Sequence, residues 1–591
     1  MPGLRGSSRK IPVPGSERTI YRGGRDVRMA LSNREVAERL RFMAQLLEVT
    51  GEEDVFKVRA YERAAKHLEE LPVPVSGLDE KALLAVPGIG SKIASKIASI
   101  LQTGTFPELE ELQGKIPESL PVLLKLEGVG PKTVHTLWMR LGIESIDDLE
   151  RAARQRRIRA VKGFGEKKEA EFLRSIARFR AAATRMRRDE ADAVVARATS
   201  VLTPGKFEVA GSYRRGKSTV GDIDIATMEA PQAVNPRVRS IADEVIEAGD
   251  QRTSIRCLGQ RVDLRFTDPG SFGSMLLYLT GSKEFNIHLR EIAIGKGLKL
   301  NEYGLEERAG GGLHTFADEA SLFSFLGLPP IPPELREDRG EIERALAGDL
   351  PALVEPKGIR GDLHVHTGAT DGHLSLGELA AAGDELGYEY LLVSDHSSTL
   401  GVTHGLDADG VKAQVREIEQ VNREHHCQLL AGIEVDILAD GSLGLPDRVL
   451  DDLDLVIASV HSGLHEPQDL MTRRILTALS NERVDILGHP TGRLLPSRPA
   501  SEVDMDRVIG AAKAAGAALE INASPFRMDL DDPQIREARD RGVPLAIGTD
   551  AHARAELGNI GRGVTLARRG WCGPGDLLNT LGRDALLRWA S

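Results

Sequence analysis

Residues 207–227, FEVAGSYRRGKSTVGDIDIAT, decide the fold of the segment around them. A short apolar stretch reads as a strand, the glycine-bounded turn GSYRRG follows, and a second strand alternates Ile223 and Ile225 with Asp222 and Asp224. Successive strand side chains point to opposite faces, so both carboxylates share one face. Farther on, QRVDLRFTD (260–268) alternates Val262, Leu264 and Phe266 with Asp263, so a third acid projects from a neighbouring strand. Three carboxylates on adjacent strands form a hard oxygen donor set for cations such as Mg²⁺. Two such cations roughly 3.5–4 Å apart stabilise the attacking and leaving oxygens of phosphoryl transfer. A single Asp-x-Asp is a common surface feature, whereas the turn, the pair and the later acid in this order are far more specific.

Upstream, VPGIGSKIASKIASIL (86–101) sets a Gly-x-Gly turn before a helical apolar spacing at Ile93, Ile97, Ile100 and Leu101. The plan recurs at Gly128/Gly130, with Pro131 at a helix start and Lys132 behind it, and again at Gly163/Gly165. Glycine allows the tight turn, and the helix start behind it offers free N–H groups to an anion. Three ordinary helix-turn-helix packing units would look the same one at a time. Three copies, each with a lysine just after the second glycine, point to the DNA backbone, with Gly88, Gly90, Lys92, Gly128, Gly130, Lys132, Gly163 and Gly165 as contacts.

The net charge of −11 excludes a uniformly basic nucleic-acid binder, but residues 151–188 carry 14 Lys/Arg against 3 Asp/Glu, beside these hairpins. Ordinary apolar content and no run near the roughly 20 residues of a bilayer span exclude a membrane protein. Three isolated cysteines give no disulfide framework and fit a reducing cytosol. Residues 1–28, rich in Arg, Gly, Ser and Pro without an apolar signal core, read as a disordered extension or an early start, since Met29 precedes the first helical pattern.

Beyond a proline-rich linker, the chain changes character. Seven short apolar strands, GDLHVHT, YLLVSDHS, LLAGIEVDI, LVIASVH, DILGHP, ALEINAS and PLAIGTDAH, alternate with helical stretches such as SLGELAAAGDELG. This argues a parallel α/β barrel with its site at the carboxyl ends of the strands. His364, His366, His396, Glu434, His461, His489, Asp550 and His552 stand there, with Asp371 in the first loop; scattered histidines would not coincide so. His373, His404 and His465 fall outside this set and read as loop or substrate-adjacent residues.

GSYRRG, GDID and RVDLRF resemble the palm of the family X DNA polymerases, the group containing polymerase β. YLTGSKEFNIHLR with LKLNEYGL resembles the family's thumb, and the first hairpin with its preceding helices its lyase domain. The resemblance implies that Asp222, Asp224 and Asp263 hold Mg²⁺ or Mn²⁺, with Asp263 also drawing the proton from the primer 3′-hydroxyl. Ser212, Arg215 and Gly221 would bind the triphosphate, and Tyr278, Gly281 and Asn286 would bound the sugar and base. Lys283 stands where the polymerase β branch has an acid, and bacterial members resemble this chain there. Leu279 replaces an aromatic residue. Lys96 matches the lysine that forms a Schiff base in members with lyase activity; such an amine must be neutral, and a phosphate-contacting or solvated lysine is the alternative.

HVH, SDH, GIE, GHP and TDAH resemble the PHP phosphoesterases, whose fold is a distorted seven-stranded β/α barrel. All nine ligand positions of that family's trinuclear site are filled. Imidazole and carboxylate without thiolate suit Mn²⁺, Zn²⁺ or Fe²⁺.

The expected whole is a multidomain α/β and α+β protein with a helical helix-hairpin-helix region, a nucleotidyltransferase palm and thumb, and a distorted (β/α)7 PHP barrel. The expected boundaries are 1–28 extension, 29–110 lyase-like, 111–188 fingers, 189–270 palm, 271–339 thumb, 340–359 linker and 360–591 PHP. The expected function is gap filling on gapped or primer-template DNA with dNTPs in base excision repair. The PHP domain would act as a 3′–5′ exonuclease, with incision at abasic sites, in a cytoplasmic, nucleoid-associated monomer. The rivals are a DNA-end-binding scaffold with a structural PHP domain, and a PHP module acting as a small-molecule phosphatase.

Overall fold

The computed structural model describes residues 33–591 apart from 52–54, 70–74, 76, 77, 79, 87, 118, 127, 184, 309, 399–404 and 465. The extension at 1–28, His404 and His465 therefore lie outside the described residues. Among the described residues, those up to 182 form one unit and those from 183 onward a second.

In the first unit each hairpin turns where glycine alone is unstrained, with φ of +77° at Gly88, +73° at Gly128 and +97° at Gly163. The helices α1 (Ser91–Thr103), α2 (Pro131–Leu141) and α3 (Glu166–Ala183) follow. Ile93, Ile97 and Ile100 of α1, Val134 and Leu137 of α2, and Phe172 and Ile176 of α3 enter one core, as the helical spacing requires. A Cβ built on Gly90, Gly130 or Gly165 would meet nothing within 4 Å, so the second glycine of each turn faces open space.

The second unit opens with a five-stranded sheet of β1 (Phe207–Val209), β2 (Ile223–Thr227), β3 (Glu244–Ala248), β4 (Arg252–Cys257) and β5 (Gln260–Phe266), in the order β1-β2-β5-β4-β3. Only β2 and β5 run parallel. Ile223, Ile225, Val262 and Leu264 are buried in its core, which turns the alternating acids to the other face. The turn between β1 and β2 carries α4 (Gly211–Arg214); α5 (Phe272–Thr280) and α6 (Lys283–Gly295) lead to a three-stranded antiparallel sheet at 298–314. Their core of Phe285, Leu289, Phe323 and Leu335 continues into Ile342 and Ala345 and takes in Trp571. Residues 340–359 are thus packed against their neighbours along part of their length.

Seven strands, β6 (Gly361–Val365), β7 (Tyr390–Val393), β8 (Gln428–Asp436), β9 (Leu455–Ser459), β10 (Ile486–Leu487), β11 (Ala518–Asn522) and β12 (Leu545–Gly548), pair in sequence order and all in parallel. A bridge between Val365 and Ala551, with Asp550 N donating to His364 O (2.9 Å), brings the last strand against the first. The result is the nearly closed barrel expected from the strand-helix alternation. Among the described residues no helix is long and apolar enough to cross a membrane.

Two candidate metal centres

The first centre lies on the mixed sheet. Asp224 of β2 stands directly opposite Asp263 of β5 in register, and Asp222 immediately precedes β2. Burial, followed by the nearby charges of Asp222 and Asp263, pushes the Asp224 carboxyl up to about 7. Burial also raises Asp263, but the Ser254 hydroxyl and the guanidinium groups of Arg252 (2.9 Å) and Arg261 (3.1 Å) together outweigh it and hold this carboxyl below its ordinary value. Oxygen donors without imidazole fit Mg²⁺ or Mn²⁺. Divalent ions here would neutralise the crowding and stabilise developing charge on phosphoryl oxygens.

The GSYRRG turn presses against this cluster. A Cβ on Gly211 (φ +63°) would fall 2.6 Å from Asp224 Oδ2, so glycine is what lets the turn approach. Arg215 donates from Nη1 to the Thr280 carbonyl and from Nε to Glu337 (3.0 Å). Asn286 Nδ2 donates to the Tyr278 carbonyl (2.8 Å), and Arg214 Nη1 to Thr280 Oγ1 (2.8 Å). Ser212, Arg215, Tyr278, Gly281 and Asn286 therefore belong to one tethered neighbourhood, with Lys283 exposed at the start of α6.

The second centre occupies the carboxyl ends of the barrel strands. Three groups bring their ligand atoms within 4.8 Å of one another: His366, Asp371, His396 and His552; His364, His366 and Asp550; and His396, Glu434 and His461. Glu434 lies at the middle, 2.9 Å from His396 Nδ1, 2.8 Å from His489 Nε2 and 3.3 Å from His461 Nε2. All nine predicted residues converge. Glu434 is fully buried, yet His461, His364 and His396 hold it well below the usual carboxylate range despite the burial. Burial takes His366 down to about 4, whereas Glu434 and Asp371 override burial and lift His396 to about 10. His366 Nδ1 and His489 Nδ1 are buried without a hydrogen-bond partner among the described residues. Clustered carboxylate oxygens and imidazole nitrogens, without a thiolate, together fit divalent metals.

The comparisons with known proteins agree with this division. Family descriptions match at residues 31–106 (Helix-hairpin-helix domain), 120–174 (SAM-like Helix-hairpin-helix tandem), 185–256 (DNA polymerase beta palm), 275–337 (DNA polymerase beta thumb) and 362–524 (PHP domain). The DNA polymerase/3′-5′ exonuclease PolX of Bacillus subtilis (strain 168) is 36% identical over 564 residues, 93% of this chain and 97% of the relative. The chain belongs to the bacterial-type family X DNA polymerases with a PHP domain. DNA polymerase lambda of Rattus norvegicus is 27% identical over 52% of this chain and 56% of its own length. A probable phosphatase of Thermoanaerobacter sp. (strain X514) is 31% identical over 37% of this chain and 89% of its own. As a family X polymerase the protein is a nucleotidyl-transferring enzyme that uses divalent metals and binds DNA and deoxynucleotides.

Several residues around this polymerase's two centres escaped the sequence reading. Glu520 accepts from the backbone N–H of His489 and lies 2.6 Å from His364 Nδ1, fixing the His489 backbone and orienting the His364 ring; an acid inside the apolar strand ALEIN was its available signal. Asp436 lies 2.9 Å from His461 Nδ1, and Arg527 donates to Asp550 (2.9 Å). In the palm, Arg185 donates to Thr219 and feels the charges of Asp222 and Arg215. Arg185, like Arg252, gave no local signal, because its partner is distant in sequence.

In the first unit, Lys92 and Lys132 are exposed. Lys96 pairs with Glu108 and lies 5.3 Å over the Phe106 ring, with its side chain 13% exposed. Exposed His373, in the first barrel loop, donates its N–H to the His552 carbonyl (2.7 Å).

Proposed function

We propose that the protein fills short gaps in base excision repair and that its PHP barrel removes 3′ nucleotides or blocking groups and incises abasic sites. The register of Asp224 against Asp263, with Asp222 beside them, carries the polymerase half. These acids hold two divalent ions, Mg²⁺ or Mn²⁺, and Asp263 accepts the proton of the primer 3′-hydroxyl. Ser212, Arg215 and Gly221 bind the triphosphate, Tyr278, Gly281 and Asn286 bound the sugar and base, and Lys283 adds a cation to the nucleotide. The hairpin glycines with Lys92 and Lys132 receive the DNA backbone, which the open space over Gly90, Gly130 and Gly165 supports.

Convergence of eight ligands in three groups, with His489 joined to them through Glu434, supports hydrolysis in the barrel, with three Mn²⁺, Zn²⁺ or Fe²⁺ as its metals. The probable phosphatase among the relatives favours a second reading of the barrel, a small-molecule phosphatase. One labelled gapped duplex, incubated with the intact protein with and without dNTPs, tests the main reading. Extension with dNTPs and 3′ shortening without them are expected. A phosphomonoester hydrolysed while the DNA stays intact would select the second. No activity on either substrate would select the structural scaffold.

The domain division at 110, 188, 270, 339 and 359, a monomeric state and a cytoplasmic, nucleoid-associated location complete the proposal. Lys96 is the nucleophile toward the 5′-deoxyribose phosphate of an incised abasic site, once Glu108 releases its amine. Borohydride should trap a covalent DNA adduct that Lys96→Ala removes; equal trapping by the variant would make Lys96 a phosphate contact instead.

A further inference from the structure

One helix of the PHP barrel reaches the nucleotide turn of the palm. Helix α7 (Ile560–Arg569) presents Arg562, Thr565 and Arg569 at helical spacing along one face. Arg562 pairs with Asp192 (2.6 Å), whose other oxygen accepts from the Tyr213 hydroxyl (2.9 Å) in GSYRRG. Thr565 lies so close to Gly216 (φ +73°) that a Cβ there would meet its methyl at 2.3 Å. Arg569 closes the contact. Its guanidinium, wholly buried, donates to the Arg215 carbonyl (2.5 Å) and the Glu334 carbonyl (3.4 Å), and pairs with Glu337 (3.1 Å) and Asp532 (2.7 Å).

Glu337 is the shared anchor. The oxygen that meets Arg569 also accepts from Arg215 Nε (3.0 Å), and its second oxygen pairs with Lys217 (3.0 Å). Arg215 is therefore fixed on three sides: by Glu337, by the Thr280 carbonyl at Nη1, and through its own carbonyl by Arg569. Nη2 carries no hydrogen bond among the described residues and stays available to a ligand oxygen. A buried guanidinium persists only where partners match it, so Arg569 is a specified part of this junction.

We propose that Arg569 is a positioning residue for nucleotide binding by the polymerase: through Glu337 and the Arg215 carbonyl it holds Arg215 and its turn in the conformation that receives the triphosphate. The PHP barrel is then a working part of the nucleotide site as well as the bearer of its own. The inference rests on the reading of Arg215 as a triphosphate ligand.

The test uses the full chain. Single-nucleotide insertion on a gapped duplex with Mg²⁺ gives kcat and KM for the dNTP, and hydrolysis of bis(p-nitrophenyl) phosphate with Mn²⁺ reads the barrel. Arg569→Gln should raise the dNTP KM about 10-fold, with kcat within about 3-fold and diester hydrolysis within about 2-fold of the parent. Arg569→Lys, which restores a cation without the fork, should recover part of the loss. Glu337→Gln should raise KM similarly, and the double variant should be no worse than the worse single one. Arg215→Ala tests the underlying reading: an unchanged KM there would sink the triphosphate assignment and this inference with it. A raised KM in Arg215→Ala with normal KM in Arg569→Gln and Glu337→Gln would overturn the positioning role alone. If Arg569→Gln loses both activities through misfolding, Glu337→Gln, outside the barrel, decides by the same criterion.

Discussion

The two metal centres of this chain balance their carboxylates by opposite means. In the palm, arginines from β4 and β5 clamp Asp263, while Asp224 beside it is left crowded and pushed up to about 7. In the barrel centre, imidazoles surround each ligand acid, and Glu434 stays ionised although wholly buried. The palm set is all oxygen and suits a hard cation that arrives with a substrate phosphate. The barrel set is mixed nitrogen and oxygen and suits a resident metal. Ligand chemistry thus sets the two centres of one chain apart.

The largest expected effect is complete separation of function. Asp222→Asn or Asp263→Asn should lower primer extension at least about 1,000-fold and leave diester hydrolysis near normal; His366→Ala or Asp550→Asn should do the reverse. These substitutions remove a ligand with little change of shape at the acids. Parallel assays of both activities, with circular dichroism to confirm folding, give the answer. Loss of both activities in a folded variant would break the comparison.

Chelation sharpens it. 1,10-Phenanthroline, which favours metals with nitrogen affinity over Mg²⁺, should abolish barrel hydrolysis while extension in excess Mg²⁺ continues. Added Mn²⁺ or Zn²⁺ should restore hydrolysis. Equal inhibition of extension would mean that the palm also depends on a borderline metal.

What was legible in the sequence follows the range of the interaction that encodes it. Asp222, Asp224 and Asp263 were readable because strand alternation is local, and their meeting needed only that β2 and β5 be neighbours. The barrel ligands other than Asp371 were readable because they stand at or just past strand ends, even the two-residue strand Ile486–Leu487 before His489. Glu520, Arg252, Arg185 and Arg569 were not. Each acts through a partner on another element, and nothing in the neighbouring residues announces it. Residues 340–359 read as the end of a polar linker with a short helix; the helix forms at Glu341–Ala347, but its Ile342 and Ala345 pack into a core shared with Trp571, more than 200 residues on. Contacts across such separations are set by tertiary packing alone.

A smaller effect is expected at a barrel acid that lacks imidazoles. Asp485, just before β10, accepts from Val456 N (2.7 Å), and burial pushes its carboxyl up to about 7. The folded state therefore binds this proton more tightly than the unfolded chain, whose ordinary value is 3.8. The cost of ionising it is absent below about pH 4, grows as pH rises, and is fully present above about 7. Asp485→Asn should stabilise the protein at pH 8 by on the order of 2 kcal/mol and change little at pH 4. Thermal melts at the two pH values measure this; an equal shift at both would mean that packing, not charge, is responsible.

The smallest effect concerns the sugar. Leu279 stands where an aromatic residue is expected under the nucleotide, and its side chain packs against Ala210, Ala226, Met275 and Leu276. If an aromatic side chain braced this segment, leucine would loosen it and relax discrimination against a 2′-hydroxyl. The backbone here is tied by other means. Asn286 holds the Tyr278 carbonyl, Arg215 the Thr280 carbonyl and Arg214 the Thr280 hydroxyl. With those tethers in place, the side chain controls only the residual play of the segment. Leu279→Phe should therefore raise the ratio of kcat/KM for dNTP over rNTP by only about 3-fold, worth roughly 0.7 kcal/mol of transition-state discrimination. The ratio is measured for both proteins on one gapped duplex with one metal. An unchanged or lower ratio would assign sugar selectivity to the tethered backbone alone, and Asn286→Ala, which frees the Tyr278 carbonyl, should then lower it where Leu279→Phe did not.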